Sequence, residues 1–186
     1  MPAEDFAMDS IFDSEHPAAR FAVDGALQLE LCRSLLDLAE HLPGRPDRDG
    51  IAYCLKVLPA TWEAHVAFQS EAAFPLLKRR YEGDRDVLKC LGRLERQHIE
   101  IAGANDELTE QLVHVLNGET VDCEMLGYLI RNAAERRREH VEWEQSFLNS
   151  LFPRLLVPFE RQAFLAWSSA NPWPLKGTEE LGKSKK

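Results

Sequence analysis

Three histidines and one glutamate stand at positions where helical spacing turns them toward a shared interior. His65, His98 and His140 each interrupt apolar residues that recur at three- and four-residue steps, and Glu144 follows His140 by four residues. Residues four apart on a helix lie side by side. Neutral imidazole together with carboxylate suits Fe, Mn, Zn and similar divalent metals. The sequence therefore identifies these four side chains as candidate metal ligands in one polar layer.

The turns between the helical segments allow the depths of the histidines to be compared. His65 lies 18 residues before Gly83 and His98 lies 15 residues after it. At a rise of about 1.5 Å per residue, their heights differ by roughly 4 to 5 Å. His98 and His140 lie 20 residues before and 22 residues after Gly118. All three side chains are therefore expected in one layer.

Three further polar residues extend the predicted layer. Gln28 interrupts the stripe of the first helix, Gln69 follows His65 by four residues, and Glu95 precedes His98 by three. Buried histidines without partners would cost about 1 to 3 kcal/mol each. A metal ion would organise them, and so would a hydrogen-bonded network that includes these three residues and Glu144. The sequence permits both arrangements.

Four long amphipathic segments are predicted to position this layer. Each carries one apolar stripe with helical period, and no window shows the strict alternation of a half-buried strand. Short connections predict an all-α, up-down-up-down four-helix bundle, with a kink at Pro59 in the second helix. A short extra C-terminal helix is expected at residues 158–169. The four long segments cover about residues 18–42, 47–81, 84–116 and 120–151.

The bundle is predicted to be flanked at both ends. Residues 1–17 form an acidic N-terminal leader, residues 18–156 the four-helix bundle, and residues 157–186 a C-terminal helix with a flexible basic tail. Residues 135–139 place three consecutive arginines between two glutamates, a pattern typical of a charged outer face.

Composition restricts the classes of function. The 186 residues include 31 Asp and Glu against 22 Lys and Arg, which gives a net charge of −9 and a pI near 5.2. Without a basic face, nucleic acid and anionic membrane are not expected as partners. Four cysteines without a CxxC pair and an acidic start without a secretion signal predict a reduced, soluble, cytoplasmic protein. No nucleophile stands beside a base and oxyanion donors, so the chain is not expected to be an enzyme.

Two of the helices share a longer motif, in which a histidine is followed four residues later by Gln or Glu and then by Phe-Pro. The motif comprises His65, Gln69 and Phe74-Pro75 in the second helix and His140, Glu144 and Phe152-Pro153 in the fourth. Over about residues 18–156 it resembles the hemerythrin-like (HHE cation-binding) domain family, in a divergent bacterial branch. The resemblance implies a four-helix bundle with a non-haem di-iron centre, whose ligands here would be His65, His98, His140 and Glu144.

The ligand set departs from that family's pattern. Gln69 stands where the family has a bridging carboxylate, Gln28 falls at or near the first-helix histidine, and Ala102 stands four residues after His98, where many members place another ligand. The neutral amide of Gln69 cannot bridge two metal ions, and the single carboxylate of Glu144 carries too little charge to balance two divalent ions in a low-dielectric core. The expected site is therefore mononuclear or empty. Its metal would be non-haem iron, or else zinc or manganese, and a metal-free layer remains an alternative.

The resemblance implies a sensory or regulatory protein that responds to iron, oxygen or redox state. Its expected partners are the metal ion, dioxygen or another small oxidant, and a protein partner or a second copy of the chain. The alternative is a metal-free helical-bundle domain for protein-protein interaction. In that case Phe164, Trp167 and Trp173 would supply an exposed apolar patch.

Overall fold

The computed structural model describes residues 16–42, 44, 47–152 and 156–172. These residues form helices and short connections and contain no strand, so the all-α prediction is confirmed. A π-helical segment, Phe68–Ala73, joins two of the α-helices. The α-helices are α1 (Pro17–Glu40), α2 (Arg48–Ala67), α3 (Phe74–Arg80), α4 (Arg85–Asn117), α5 (Cys123–Leu151) and α6 (Pro158–Ala170).

Aspartate begins three of the long helices. The side chains of Asp47, Asp84 and Asp122 accept hydrogen bonds from the first free backbone N–H groups of α2, α4 and α5. Such caps satisfy donors that have no partner inside the helix. At the other end of α4, Gly118 takes a φ of 79°, a left-handed conformation that favours glycine. These local signals fix where the site-bearing helices start and stop.

The second predicted helix is divided in the structure. Pro59 lies inside α2, and the α-helical pattern changes at the π segment, where the N–H of Phe74 donates to the carbonyl of Gln69 five residues back. Pro75 has no N–H to offer the carbonyl four residues before it, and this favours a different hydrogen-bonding pattern there. The apolar stripe does not predict this segment, which contains Gln69.

The buried apolar residues form two separate clusters. The first core cluster contains residues from α1, α2, α4 and α5: Leu31, Cys32, Leu35, Leu38, Ala39, Ile51, Cys54, Val57, Leu58, Leu108, Leu112, Val115, Leu126, Leu129, Ile130, Ala133 and Ala134. The second contains Phe21, Phe68, Ala73, Phe74, Leu76, Leu77, Val87, Leu91, Leu94, Leu148, Phe152 and Phe164. Along each long helix, buried polar residues lie between the two clusters. One polar layer therefore separates two apolar regions.

The long helices pack in pairs around this layer. Helix α1 contacts α5 and α2, and α4 contacts the same two helices. At Gly25, α1 comes so close to α5 that an added Cβ would overlap the side chain of Gln145. The close approach brings the neighbouring Asp24 into the buried layer, where it is 1% exposed.

The predicted C-terminal helix is present as α6. Its Glu160 carboxylate pairs with Arg80 and accepts the N–H of Val157, and Trp167 Nε1 donates to Glu71 at 2.8 Å. Phe164 is 4% exposed, so its place in an exposed apolar patch was wrongly predicted: it packs into the second core cluster. Trp173, the basic tail and all of the acidic leader except its last two residues lie outside the described residues. Within the described helices, none is long and apolar enough to span a bilayer.

Candidate metal centre

The three predicted histidines meet inside the polar layer. His65 lies on α2, His98 on α4 and His140 on α5, with exposed fractions of 0%, 5% and 1%. Their ring centroids are 5.0 to 5.5 Å apart. One ligand nitrogen from each ring lies within 4.8 Å of the others, a spacing at which they could hold a metal ion together.

Glu144 completes a compact set of ligand atoms. His65 Nε2 and His140 Nε2 are 3.4 Å apart, and Glu144 Oε2 lies 3.6 Å from the first and 3.5 Å from the second. A tetrahedral ion bound at about 2.0 to 2.2 Å holds its ligand atoms about 3.3 to 3.6 Å apart, because the edge of a tetrahedron is about 1.63 times its radius. The three measured edges fall in this range.

Hydrogen bonds to the outer nitrogens orient two of the rings. His65 Nδ1 lies 2.5 Å from Asp24 Oδ2, and His140 Nδ1 lies 3.2 Å from Gln97 Oε1. Both oxygens accept, so each Nδ1 carries a proton, and Nε2 is the nitrogen with the lone pair when either ring is neutral. Protein metal sites commonly orient histidine ligands in this way.

Several buried polar atoms of this layer have no hydrogen-bond partner within the described part of the chain: Gln69 Oε1, His98 Nε2 and Glu144 Oε1 at the candidate ligands, and Trp62 Nε1 and Arg137 Nε on the other side of His65. The ring of His98 is held by stacking, with Phe74 parallel to it at 5.9 Å and 2°. Gln69 Nε2 donates to His65 Nε2 at 3.1 Å. Unsatisfied buried polar atoms are uncommon in proteins, and three of these belong to the candidate ligands His98 and Glu144 and to Gln69, which contacts His65.

Burial and neighbouring charge shift the pKa values of all four candidate ligands. Burial lowers the pKa of His98 to about 3 and that of His140 to about 2, and the charge of His65 acts in the same direction. For His65, burial alone would lower the pKa, but the carboxylates of Asp24 and Glu144 outweigh it and the pKa is raised. Burial raises the pKa of Glu144 to about 8. His98 and His140 are therefore neutral at physiological pH, which leaves each ring a nitrogen lone pair.

A buried arginine lies on the other side of His65. Arg137 is 0% exposed, donates to Gln28 Oε1 at 2.6 Å and to the Leu58 carbonyl at 3.3 Å, and stacks over the Trp62 ring at 4.9 Å. Trp62 in turn stacks on His65, with ring centroids 4.8 Å apart. Burial lowers the pKa of Arg137 to about 10, so it stays charged at neutral pH. The layer therefore holds a permanent cation beside the candidate ligands.

A groove between α4 and α5 reaches the cluster from the surface. It has a volume of about 560 Å³, and its walls include Gln97 and His140. Charged side chains surround it: Arg93, Glu100, Glu135, Arg136 and Glu139. Since His140 turns Nδ1 toward Gln97 and Nε2 toward His65, its ring separates the groove from the ligand atoms.

No known protein family, curated protein or solved structure matches this chain. The assignment of the site therefore depends on the geometry of the described residues alone. In that geometry, three buried histidines lie close enough together to bind a metal ion.

The three further residues predicted for the layer, Gln69, Gln28 and Glu95, do not all lie beside the candidate ligands. Gln69 contacts His65 directly, and Gln28 is 0% exposed but belongs to the Arg137 side of the layer. The prediction for Glu95 is wrong, because its carboxylate pairs with Lys78 Nζ at 2.6 Å and its side chain is 44% exposed. A carboxylate that can reach water and a lysine gains little from entering the core.

The prediction that residues 135–139 form a charged outer face is wrong for Arg137. Its flanking residues Arg136 and Glu139 are exposed, as expected of a charged outer face, but Arg137 points inward. It occupies a position of the apolar stripe of α5, seven residues before Glu144 and three before His140. At such a position the helical period determines the direction of the side chain more strongly than the charge of its neighbours does.

Besides Arg137, the layer contains Asp24, Trp62 and Gln97, which were not among the predicted site residues. The sequence indicates that Asp24 faces the interior, because it stands three residues after Phe21 and four before Gln28, at a position of the stripe of α1. Gln97 precedes His98 and faces the α4/α5 groove, which the period of α4 alone does not indicate. Trp62 follows Thr61 in a stretch where two adjacent residues are both buried.

Proposed function

We propose that this protein binds one divalent metal ion through His65, His98, His140 and Glu144. The observation that carries the proposal is the triangle of ligand atoms with edges of 3.4, 3.5 and 3.6 Å, which match the edges around a tetrahedral ion. The unpartnered Nε2 of His98 supplies the fourth donor. Three nitrogens and one carboxylate oxygen suit Fe(II), Zn(II) or Mn(II).

We propose a mononuclear centre because of the charges around it. Asp24 and Glu144 contribute two buried carboxylates, and Arg137 already contributes one buried cation. One divalent ion then leaves little excess charge, whereas a second would have no further carboxylate to balance it. Gln69, whose Nε2 lies 3.1 Å from His65 Nε2, is neutral. Uncompensated charge in a low-dielectric interior is costly.

We propose that α1, α2, α4 and α5 form an up-down-up-down, hemerythrin-like bundle around this centre. The order of the core supports it: α1 and α4 run from the second core cluster to the first, and α2 and α5 run the opposite way. The step from His140 to Glu144 on α5 brings both side chains to one point, as the resemblance to that family implies.

The function that fits such a centre is sensing or buffering rather than turnover. Iron would supply reversible redox and oxygen chemistry when bound, and the residues of this chain would hold it, exclude water and fix the ligand tautomers. We propose a cytoplasmic, bacterial regulatory protein that responds to iron, oxygen or redox state. The groove that ends at His140 and Gln97 brings a small ligand as far as the His140 ring, which would have to move to admit it to the layer.

Metal content tests the proposal directly. Wild-type protein should bind about one equivalent of Zn²⁺ or Fe²⁺, measured by elemental analysis after dialysis and by titration. A His98→Ala, His140→Ala double variant should bind none. His114→Ala is the matched control, because that ring pairs with Glu119 at the surface and should not alter binding. If the wild-type protein holds no more metal than the double variant, the proposal is refuted.

A metal-free interaction domain is the second candidate. The observation in its favour is the apolar surface at the start of α6, where Val157 is 51% and Phe159 is 63% exposed. In this case chelators would leave the Tm unchanged, and deletion of residues 157–186 would abolish self-association or partner capture. A chelator-induced fall of several degrees in Tm would count against it.

A further inference from the structure

Asp24 is buried against the outer edge of His65. It lies on α1, is 1% exposed, and places Oδ2 at 2.5 Å from His65 Nδ1. A carboxylate only accepts hydrogen bonds, so this contact requires a proton on Nδ1, and in the neutral ring Nε2 is then the acceptor. The second oxygen, Oδ1, accepts from Gln28 Nε2 at 3.3 Å. Both oxygens of Asp24 therefore have partners.

Gln28 connects Asp24 to Arg137. Its Nε2 also donates to the Thr61 carbonyl at 3.0 Å, and its Oε1 accepts from Arg137 at 2.6 Å. Rotating the amide by half a turn would place its NH₂ against the guanidinium and its oxygen against two acceptors. Gln28 consequently has a single acceptable orientation, and it fixes Asp24 from one side as His65 does from the other.

The faces of the His65 ring are constrained as well. Trp62 stacks on it at 4.8 Å with an interplanar angle of 20°. Arg137 stacks on Trp62 and donates to Thr61 Oγ1 at 3.3 Å, so the stack and the hydrogen-bond chain are tied to the same guanidinium. Rotation of the imidazole would break both the contact with Asp24 and the stack on Trp62.

We propose that Asp24 is a positioning residue for the metal centre, which holds His65 as the Nδ1–H tautomer with Nε2 directed at the ion, and that Arg137 fixes Asp24 through Gln28. This inference depends on the proposed function of the His65, His98, His140 and Glu144 layer. Both oxygens of Asp24 and the amide of Gln28 are hydrogen-bonded, whereas the candidate ligand atoms Glu144 Oε1 and His98 Nε2 have no partner among the described residues. On the Arg137 side, Arg137 Nε and Trp62 Nε1 also lack one.

Loss of Asp24 would free the ring to adopt the Nε2–H tautomer, which cannot bind a metal through Nε2. Removing the partner that orients a ligand histidine commonly weakens metal binding by about 10- to 100-fold. We expect Asp24→Asn, which retains an acceptor without charge, to weaken Zn²⁺ binding by about 10-fold. Asp24→Leu should weaken it by about 100-fold. Asp37→Asn, on the exposed face of α1, is the matched control and should leave binding unchanged.

The experiment measures Zn²⁺ affinity by competition with a chromophoric chelator, together with the visible spectrum of bound Co²⁺. A purely structural role would lower stability without changing the geometry reported by Co²⁺, so urea unfolding of each metal-free variant is measured in parallel. Partial rescue in Asp24→Asn, and a Co²⁺ spectrum altered in Asp24→Leu, support positioning. Equal Zn²⁺ affinity in wild type and both Asp24 variants overturns it while the proposed function stands.

Nitrogen-15 NMR of metal-free protein tests the positioning role of Asp24 separately from metal binding. In wild type, His65 Nδ1 should carry an exchange-protected, downfield proton, and Asp24→Leu should lose it. If wild type binds neither Zn²⁺ nor Co²⁺, the proposed function fails and the metal role of Asp24 falls with it. A His65 Nδ1 that carries no such proton in the wild type overturns the positioning inference even when the metal binds.

Discussion

Replacement of Arg137 by methionine should destabilise the metal-free protein by about 3 to 5 kcal/mol. The side chain is 0% exposed, and its loss leaves Gln28 Oε1 without a donor and removes the buried cation that faces Asp24. An unsatisfied buried acceptor costs about 1 to 3 kcal/mol, and breaking a buried charge pair costs about 3 to 5 kcal/mol in total. Methionine has similar length, which limits the cavity contribution.

Equilibrium urea unfolding, followed by far-UV circular dichroism, measures the free energy of unfolding of each variant. Arg136→Met is the matched control, since Arg136 is exposed and its guanidinium bonds only to Asn132 one turn away, and it should change stability by less than about 0.5 kcal/mol. An Asp24→Asn, Arg137→Met double variant should be more stable than the sum of the single losses by about 1 to 2 kcal/mol. An Arg137→Met protein within about 1 kcal/mol of wild type would refute the claim that this guanidinium compensates the buried carboxylate.

Three further outcomes can be checked. The hydrogen bond from Arg80 lowers the pKa of Glu160 below its unfolded value, so its stabilisation of α6 is present above about pH 4.5 and is lost as the pH falls through the folded pKa. Hydrogen exchange of α6 across an acid titration should show this opening, and Glu160→Gln should remove the pH dependence. Gln69→Glu would add a carboxylate beside His65 and should tighten Zn²⁺ binding by about 10-fold in a competition titration; unchanged affinity would contradict this. Glu95→Gln should leave Zn²⁺ affinity within about twofold, because this carboxylate pairs with Lys78 at the surface.

Helical period alone predicts most of the fold and the centre of the site. Stripes in α1, α2, α4 and α5 indicate helices, and the breaks at Gly83 and Gly118 give the comparative depths of His65, His98 and His140. These predictions succeed because burial of an apolar face and the rise per residue depend on local spacing. The same reasoning correctly places Glu144 beside His140.

The remaining contacts depend on information that one helix does not contain. The helical period indicates that Asp24 faces inward, but its contact with His65 depends on how α1 packs, and the close approach of α1 to α5 at Gly25 is a property of the helix pair. The π segment at Phe68–Ala73 shifts the register of the residues that follow it, so that Ala73 is fully buried and Ala72 only partly, and an apolar stripe does not report such a change. Glu95 turns outward because Lys78, on a different helix, offers it a partner in water.

The hydrogen bonding within the polar layer bears on whether this layer binds a metal ion or only fixes the register of the helices. A buried polar layer that only fixes helix register is most stable when every donor and acceptor has a partner, because unsatisfied groups lose stability without adding specificity. Gln28 and Asp24 follow that rule, with every oxygen and amide group paired. Among the described residues, His98 Nε2 and Glu144 Oε1 have no hydrogen-bond partner, and neither do Arg137 Nε and Trp62 Nε1. Only the first two atoms belong to candidate ligands, next to the fully hydrogen-bonded carboxylate of Asp24. An ion would provide the interactions that these two atoms lack, and this favours metal binding over a structural layer.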